Sequence, residues 1–331
     1  MAGASAQERS RVTEVSSPPP VAVVGAGSIG VAWAIVFARA GHPVRVHDVD
    51  GARLDAVHAE LDERLEQLRL HGLLDDPAPV AARVVVVAEL ADAVDGAVHV
   101  QECVVESEPV KRELFAELDR LCADDAVLAS SSSMMPVSRF AADLPGRARC
   151  LVVHPGNPPY LLPVAELVPA PFTADEVVER THALLAGAGM RPVRVHQEVE
   201  GFVYNRLQGA LLREAYRLVR DGVASAADVD TVVSHGLGRR WAVIGPFATA
   251  DLNTRGGIER HAQVMGPAYL RMGESAGERD QGVDGTWPVE LVGEVATSVH
   301  ERLPLEQWSE HVLRRDEAIM RLTAAGPELG A

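Results

Sequence analysis

The segment Val21-Ala-Val-Val-Gly25-Ala-Gly27-Ser-Ile-Gly30 decides the fold of this chain, because four apolar residues run directly into the glycine pattern G-x-G-x-x-G. In such a segment the first glycine allows a tight turn, the second lets the backbone approach a pyrophosphate, and the third lets a helix pack on the strand. The pyrophosphate then lies at the helix N-terminus, where backbone amides point outward. Gly25, Gly27 and Gly30 are therefore predicted to bind a dinucleotide.

An acidic residue follows the next apolar run at the expected distance. Asp48 comes directly after Val44–His47, 21 residues after Gly27. There a carboxylate can accept hydrogen bonds from the adenosine ribose hydroxyls, and it would repel the 2′-phosphate of NADP. The predicted cofactor is therefore NAD. The alternative is a glycine turn followed by an aspartate in a solvated loop.

Outward from this segment, short apolar runs alternate with amphipathic stretches. One stretch carries Leu54, Val57, Leu61, Leu65 and Leu68 at helical spacing. The alternation predicts an α/β fold of Rossmann type, a doubly wound and mostly parallel sheet covered by helices. The predicted strands are Val21–Val24, Val44–His47, Arg83–Val87, Ala97–Gln101, Ala126–Ala129 and Arg149–Val153.

The pattern becomes almost wholly helical after residue 200. A helix is predicted over Phe202–Arg220, and a second helix is predicted to begin at Ser225, which with Asp228 resembles a capping box, and to end at Gly236–Gly238. We expect three parts: a disordered leader over residues 1–20, an NAD-binding domain over 21–199, and an all-helical domain over 200–331.

Composition excludes several classes of partner. With 31 Lys and Arg against 47 Asp and Glu, the net charge of −16 would repel nucleic acid. No apolar run approaches the roughly 18 residues of a membrane span, so no membrane association is expected. Cys103, Cys122 and Cys150 lack metal-ligand spacing. Reduced thiols in a cytoplasmic protein, and no bound metal, are predicted.

His154 directly follows a predicted strand, and the carboxyl ends of strands are where ligands bind in open α/β sheets. A histidine that takes a proton from an alcohol needs a carboxylate to fix its tautomer and stabilise the imidazolium. Glu166 follows twelve residues later, after prolines that turn the chain back. These two residues could form that pair. The alternative is a histidine in a proline-rich loop.

Other polar side chains are candidates for binding a substrate. Ser130–Ser133 follow a predicted strand, where they would place hydroxyl donors; a serine run is otherwise a flexible linker. Asn205 opens the first helix of the second domain, where its amide needs a polar partner. That partner could be a substrate oxygen or a capping or inter-helix hydrogen bond.

Combined in order, several motifs resemble the 3-hydroxyacyl-CoA dehydrogenase superfamily, and within it the lambda-crystallin-like enzymes, which are L-gulonate 3-dehydrogenases. The resemblance runs from about Val21 to the C-terminal region. The motifs are His99-Val-Gln-Glu-Cys103, Ser130–Ser133, Asn157-Pro-Pro-Tyr160, Val164-Ala-Glu-Leu-Val-Pro169, Gly201-Phe-Val-Tyr-Asn-Arg-Leu-Gln208, Gly236-Leu-Gly-Arg-Arg240 and Ile244-Gly-Pro246.

The resemblance implies a role for each matching residue. His154 would be the catalytic base and Glu166 its partner, while Ser133 and Asn205 would bind the substrate oxygen. The remaining matches concern the cofactor: Ser28 and Ile29 in the pyrophosphate loop, and Glu106 and Lys111 at the nicotinamide half of NAD. The family's enzymes are cytosolic homodimers that pair through the helical domain.

Arg240 is the candidate for binding a substrate carboxylate. A guanidinium matches a carboxylate with two parallel hydrogen bonds, and lambda-crystallin resembles this chain in having an arginine at Arg240 but not at Arg239. The alternative is that both cations offset a helix C-terminus.

Two departures from the lambda-crystallin pattern bear on the substrate. Val105 stands in place of a proline and Gly156 in place of a valine, so that Gly156 could enlarge or loosen the pocket. A separate observation concerns the predicted helix over Leu61–Leu74, where Arg64 and Arg69 stand among acidic residues rather than in a basic cluster for CoA phosphates. This favours a small free hydroxy acid over a CoA thioester.

The predicted function is NAD-dependent oxidation of a small 3-hydroxy acid, similar to L-gulonate, to the 3-keto acid. The alternatives are a 3-hydroxybutyryl-CoA (3-hydroxyacyl-CoA) dehydrogenase and a structural NAD-binding protein without turnover.

Overall fold

The structure is a computed structural model that describes residues 18–255, 257–275, 289–302 and 304–324 of the 331-residue chain. The chain divides into two compact units. The first runs to Glu66 and resumes over Asp75–Phe202, and the second contains Gln67–Leu74 and the chain from Val203 onward.

Most of the predicted leader, residues 1–17, lies outside the described residues. Pro19 and Pro20 are described, and both make hydrogen bonds. The carbonyl of Pro19 lies 2.8 Å from Nδ1 of His42, and that of Pro20 accepts the N–H of Val98 at 3.1 Å. The prediction of disorder is wrong for these prolines, which are part of the first unit.

An eight-stranded sheet in the order β3-β2-β1-β4-β5-β6-β7-β8 forms the first unit's centre. Strands β1 to β6 are parallel, whereas β7 is antiparallel to β6 and parallel to β8. The predicted Rossmann-type fold is confirmed, with its strand order reversing between β1 and β4. The strands are β1 (Val21–Val24), β2 (Val44–His47), β3 (Val84–Val86), β4 (His99–Glu102), β5 (Val127–Ser130), β6 (Cys150–Pro155), β7 (Val164–Pro169) and β8 (Arg191–Arg194).

The last two strands were not predicted from the sequence. Glu166 interrupts the apolar run of β7 with a carboxylate that is buried in the structure. Strand β8 lies at the edge of the sheet, where its largely exposed residues and Pro192 are tolerated because an edge strand need not donate every ladder hydrogen bond. In the sequence, a carboxylate therefore interrupts β7 and exposed residues dominate β8.

Helices cover the sheet of the first unit. Helix α1 is apolar all round between Gly30 and Ala38, and these residues are buried, with the rings of Trp33 and Phe37 stacked at 5.4 Å. Elsewhere Phe115 and Phe140 pack with ring centroids 4.8 Å apart. The helices are α1 (Ser28–Arg39), α2 (Gly51–Leu70), α3 (Ala78–Ala81), α4 (Leu90–Val94), α5 (Glu108–Leu121), α6 (Ser138–Ala141) and α7 (Asp175–Gly187).

The described part of the second unit is helical, as the sequence predicts. Ser225 is confirmed as an N-cap, since its Oγ accepts the N–H of Asp228 at 3.1 Å. The predicted end at Gly236–Gly238 is wrong, because a π-helical turn, Val233–Leu237, continues the helical path into α10. The helices are α8 (Tyr204–Arg220), α9 (Ala226–Val232), α10 (Gly238–Trp241), α11 (Pro246–Leu252), α12 (Gly257–Ser275), α13 (Val289–Arg302) and α14 (Trp308–Ala324).

Candidate active site

The glycine turn has the shape that a dinucleotide requires. Gly25 has φ +106°, and a Cβ there would lie 2.6 Å from the carbonyl of Cys103. A Cβ on Gly30 would lie 1.9 Å from the oxygen of Gly25, whereas a Cβ on Gly27 would meet nothing within 4 Å. Gly27 precedes the first turn of α1, whose amides have no partner within the helix. Open space therefore lies where a pyrophosphate would bind, and the turn fits NAD.

Asp48 holds this turn through the peptide of Ala26. Its Oδ2 accepts the N–H of Ala26 at 2.6 Å, and its Oδ1 accepts the N–H of Asp50 at 2.9 Å. An ionised carboxylate has about four lone-pair positions, so these two bonds leave capacity for ribose hydroxyls. Asp48 is half-buried and directly follows β2.

Two arginines of α2 bind the same turn, which the sequence pattern did not reveal. Arg53 donates to the carbonyl of Ala26 at 2.7 Å, and Arg64 donates to the carbonyl and hydroxyl of Ser28 at 2.9 and 3.1 Å. Both guanidinium groups lie 3.3 Å from Glu60. The helical spacing of Arg53 and Arg64, which places both on one face of α2, is the sequence feature that could have indicated their common role. Ile29 follows Ser28 in the first turn of α1 and is half-buried.

His154 and Glu166 form a buried pair. They are direct partners in the antiparallel register of β6 and β7, and Nδ1 of His154 lies 2.8 Å from Oε2 of Glu166. The exposed fractions of the two side chains are 7% and 3%. The proline-loop alternative is wrong, because His154 lies within β6. A carboxylate at Nδ1 fixes the tautomer that leaves Nε2 as the basic nitrogen.

Phe202 packs against this histidine. Its ring centroid lies 5.8 Å from that of His154, and its side chain is fully buried. Phe202 has φ +50° and Gly201 has φ +74°. A left-handed backbone is costly for a bulky residue and is kept where the surroundings determine it strongly. This conformation is also why α8 begins at Tyr204 rather than at the predicted Phe202.

The serine run is only partly available to a substrate. Ser130 donates to Oε2 of Glu102 at 2.5 Å, Ser131 accepts from Trp33 and Gln101, and Ser132 donates to Glu106. The flexible-linker alternative is therefore wrong for these three. Ser133 is exposed. Because β5 and β6 are parallel neighbours, Ser133 and His154 lie toward the same edge of the sheet.

Lys111 and Glu106 belong to a larger charged cluster. Nζ of Lys111 lies 2.7 and 2.8 Å from the two carboxylate oxygens of Glu102 and 3.8 Å from Oε2 of Glu106. Lys111 and Glu102 are buried, whereas the side chain of Glu106 is 43% exposed. Glu102 was not predicted as a site residue. Its position at the end of β4, beside the glycine turn, was the signal available.

A second polar network supports the end of β4. Nε2 of His99 lies 3.0 Å from Oε1 of Gln101, and Nε2 of Gln101 donates to Ser131 at 2.8 Å. Burial lowers the pKa of His99 to about 4, so this imidazole is neutral at pH 7. Burial raises the pKa of Cys103 to about 12, so this thiol stays protonated. The network is structural rather than reactive.

Asn205 and Arg240 lie in the second unit. Asn205 is the second residue of α8 and is half-buried. Arg240 and Arg239 are both exposed in the last turn of α10. That position also suits the alternative in which the two cations offset a helix C-terminus.

Gly156 does not leave the open space that its lack of a side chain suggests. It is buried in the turn after β6, and a Cβ there would lie 3.0 Å from Cβ of Leu162 and 3.1 Å from Cγ1 of Val164. Leu162 and Val164 therefore occupy the space that a valine would need. The expectation of an enlarged pocket is wrong at this position.

The described ranges contain neither a metal cluster nor a membrane-spanning helix. No group of three or more His, Cys, Asp or Glu side chains within them is placed to hold a metal ion. Among the helices that the structure describes, none is long and apolar enough to cross a membrane.

The chain matches models of two successive domains. Residues 20–199 match the NAD binding domain of 3-hydroxyacyl-CoA dehydrogenase, and residues 201–279 match the C-terminal domain of the same family. Together these matches include the glycine turn, His154, Glu166, Asn205 and Arg240.

Individual relatives agree with these matches. The chain is 40% identical over 317 residues to a lambda-crystallin homolog of Bos taurus, covering 93% of this chain and 95% of the relative. It is 38% identical to an L-carnitine dehydrogenase of Streptomyces griseus subsp. griseus, covering 75% and 74%. A solved structure of 5-formyl-3-hydroxy-2-methylpyridine 4-carboxylic acid 5-dehydrogenase, an NAD+-dependent dismutase, has a TM-score of 0.72 at 29% identity, covering 93% and 99%. With its glycine turn and both domains accounted for, the chain belongs to the 3-hydroxyacyl-CoA dehydrogenase family of NAD-dependent oxidoreductases.

Proposed function

We propose that the chain oxidises a small, free 3-hydroxy acid to the 3-keto acid, with L-gulonate as the first candidate substrate. The observation that carries this proposal is the buried contact of 2.8 Å between His154 and Glu166 near the carboxyl end of β6. A histidine held by a carboxylate is suited to take the proton of an alcohol.

His154 and Glu166 have different roles in the transfer of the hydroxyl proton. A bound NAD would supply the acceptor for the hydride that leaves the carbon bearing the hydroxyl. Nε2 of His154 takes the hydroxyl proton, and Glu166 stabilises the resulting imidazolium through Nδ1. Ser133 and Asn205 orient the substrate hydroxyl, and Arg240 binds the carboxylate. Phe202 limits the orientations that the imidazole can take, since its ring packs beside it.

Two observations favour a free acid over a CoA thioester. L-Carnitine, the substrate that names one relative, is itself a free 3-hydroxy acid. Arg64, one of the two basic residues of α2 considered for binding CoA phosphates, is instead bound to Ser28 and to Glu60. The second candidate is 3-hydroxyacyl-CoA oxidation, which the name of the family itself favours.

A direct comparison of substrates tests whether the enzyme oxidises a free 3-hydroxy acid or a CoA thioester. NADH formation is measured with L-gulonate, L-carnitine and other free 3-hydroxy acids, and with 3-hydroxybutyryl-CoA, at a fixed concentration of NAD. The proposal expects the largest kcat/KM with a free acid and no competition by CoA. A larger kcat/KM with the thioester, together with competitive inhibition by CoA, would assign the second function.

We also propose that the enzyme is a homodimer that pairs through its helical unit. Several large apolar side chains of that unit are exposed, and large apolar patches on soluble proteins commonly mark interfaces. They include Leu207, Phe247, Leu252, Leu270 and Trp308. Light scattering of the full chain is expected to give twice the 35.3 kDa chain mass, and a monomer at micromolar concentration would remove this proposal.

A cytoplasmic location is proposed from the cysteines. Cys103, Cys122 and Cys150 are all free thiols, and burial raises the pKa of Cys122 to about 11 and that of Cys150 to about 12. Such thiols persist in a reducing compartment. Fractionation of cells that express the full chain would test the location.

A further inference from the structure

The ammonium group of Lys111 is buried against the carboxylate of Glu102, a residue to which the proposed function gives no role. Its side chain is 1% exposed and that of Glu102 is 0% exposed, with Nζ 2.7 and 2.8 Å from the two carboxylate oxygens. The carboxylate of Glu102 also accepts the N–H of Val104 at 2.7 Å and the hydroxyl of Ser130 at 2.5 Å. Three donor groups therefore fix Glu102 through four contacts, and the carboxylate of Glu102 compensates the charge of Lys111.

Glu106 is the third member of the cluster and the exposed one. Its Oε1 accepts the hydroxyl of Ser132 and, at 3.4 Å, the N–H of Met134, while its Oε2 lies 3.8 Å from Nζ of Lys111. The cluster thus contains two carboxylates and one ammonium. Because Glu102 neutralises Lys111 at closer range, the uncompensated negative charge resides on Glu106.

We propose that Glu102 is a positioning residue that neutralises Lys111, so that the net charge presented to the nicotinamide is the negative charge of Glu106. The inference rests on the proposed function and on the contact of Glu106 and Lys111 with the nicotinamide half of NAD that the family resemblance implies. The nicotinamide ring is positively charged in NAD+ and neutral in NADH. A net negative cluster therefore favours NAD+ over NADH, and Glu102 sets the relative affinity for the two forms.

The test is a comparison of two dissociation constants. The full-length protein is titrated with NAD+ and with NADH by calorimetry, and the ratio Kd(NAD+)/Kd(NADH) is the readout. In Glu102→Gln the charge of Lys111 is no longer compensated, so the ratio should rise about 10-fold. A purely structural role would weaken both forms together and leave the ratio unchanged, which would overturn the inference.

A double variant keeps the inference testable if Glu102→Gln alone does not fold. An ammonium buried without its partner is strongly destabilising, whereas a neutral pair of similar size is often tolerated. Glu102→Gln/Lys111→Gln removes both charges and should keep the ratio within about threefold of the wild-type ratio. A 10-fold change in the ratio of the double variant would overturn the inference even if the single variant does not fold.

Two further variants separate this inference from the proposed function. Glu106→Gln removes the charge that should face the nicotinamide and must raise the ratio, while Glu113→Gln, an exposed change on the same helix α5, should leave it unchanged. A shift in Glu106→Gln without one in Glu102→Gln defeats the inference alone. No shift in either, with NAD+ still bound, defeats the placement of the cluster at the nicotinamide and the inference with it.

Discussion

His154 and Glu166 face each other across two antiparallel strands, with Nδ1 of the histidine 2.8 Å from Oε2 of the glutamate. Their separation of twelve residues is that of a hairpin whose turn contains the prolines after His154. Placing both members of a pair on paired strands fixes their distance more tightly than a loop could. The register of β6 and β7 therefore holds the proposed base in a single tautomer.

Replacing Glu166 tests this role. In Glu166→Gln the amide can donate to Nδ1, which moves the ring proton to Nε2 and removes the base. We expect kcat to fall on the order of 10²-fold or more, with the melting temperature and the affinity for NAD close to wild type. Glu179→Gln, an exposed change on α7, is the control and should have wild-type kcat. Wild-type kcat in Glu166→Gln would remove Glu166 from the mechanism.

The glycine turn allows fold and cofactor binding to be separated. Gly27→Ala should fold normally, because φ at Gly27 is −71° and a Cβ meets nothing within 4 Å, yet the methyl group occupies the place of the pyrophosphate. We expect its Kd for NAD to rise at least about 10-fold with an unchanged melting temperature. Gly30→Ala should instead lower the melting temperature, since its Cβ would lie 1.9 Å from the oxygen of Gly25. The reverse pattern would contradict the assigned roles.

Asp48 should set the preference for NAD over NADP. Its carboxylate would repel the 2′-phosphate, so Asp48→Ala is expected to narrow the ratio of kcat/KM for the two cofactors by about 10-fold or more. Because Asp48 also holds Ala26, the affinity for NAD should fall as well. Asp62→Ala, an exposed change on α2, should leave the ratio as it is. Equal kcat/KM for NAD and NADP in the wild type would refute the assignment.

Arg240 and its neighbour Arg239 form a matched pair for testing carboxylate recognition, since both are exposed in α10. Arg240→Leu should raise KM for a free 3-hydroxy acid by about 10-fold or more, while a neutral ester of the same acid loses little. Arg239→Leu should be nearly silent. An equal rise in KM for the two variants, or an equal rise for acid and ester, would favour the alternative in which both arginines offset a helix C-terminus. It would also favour a CoA thioester as the substrate.

The strands and the glycine turn were predictable because each has a local pattern. The six predicted strands are mostly buried and rich in apolar residues, although β2 and β4 also contain polar ones, and the turn requires glycine at fixed spacing. Strand β7 escaped prediction because Glu166, the residue that the site needs, breaks its apolar run. Function in this case overrides the local signal.

The contacts around the site depend on long-range packing that no local pattern carries. Arg64 meets Ser28 across 36 residues, and Phe202 meets His154 across the whole of β7, α7 and β8. At Gly156 the local sequence suggested a feature that long-range packing removes. Its small size suggested free space, but the hairpin that follows brings Leu162 and Val164 into that space.

The proposed mechanism depends on His154 as the base for NAD-dependent oxidation of a free 3-hydroxy acid. The most direct measurement is the rate of NADH formation from the best free acid in wild type and in His154→Gln, with binding of NAD measured on both proteins by titration. We expect kcat of the variant to fall about 10²–10⁴-fold while its Kd for NAD stays close to wild type. A His154→Gln variant that binds NAD and turns over at a near wild-type rate would contradict it.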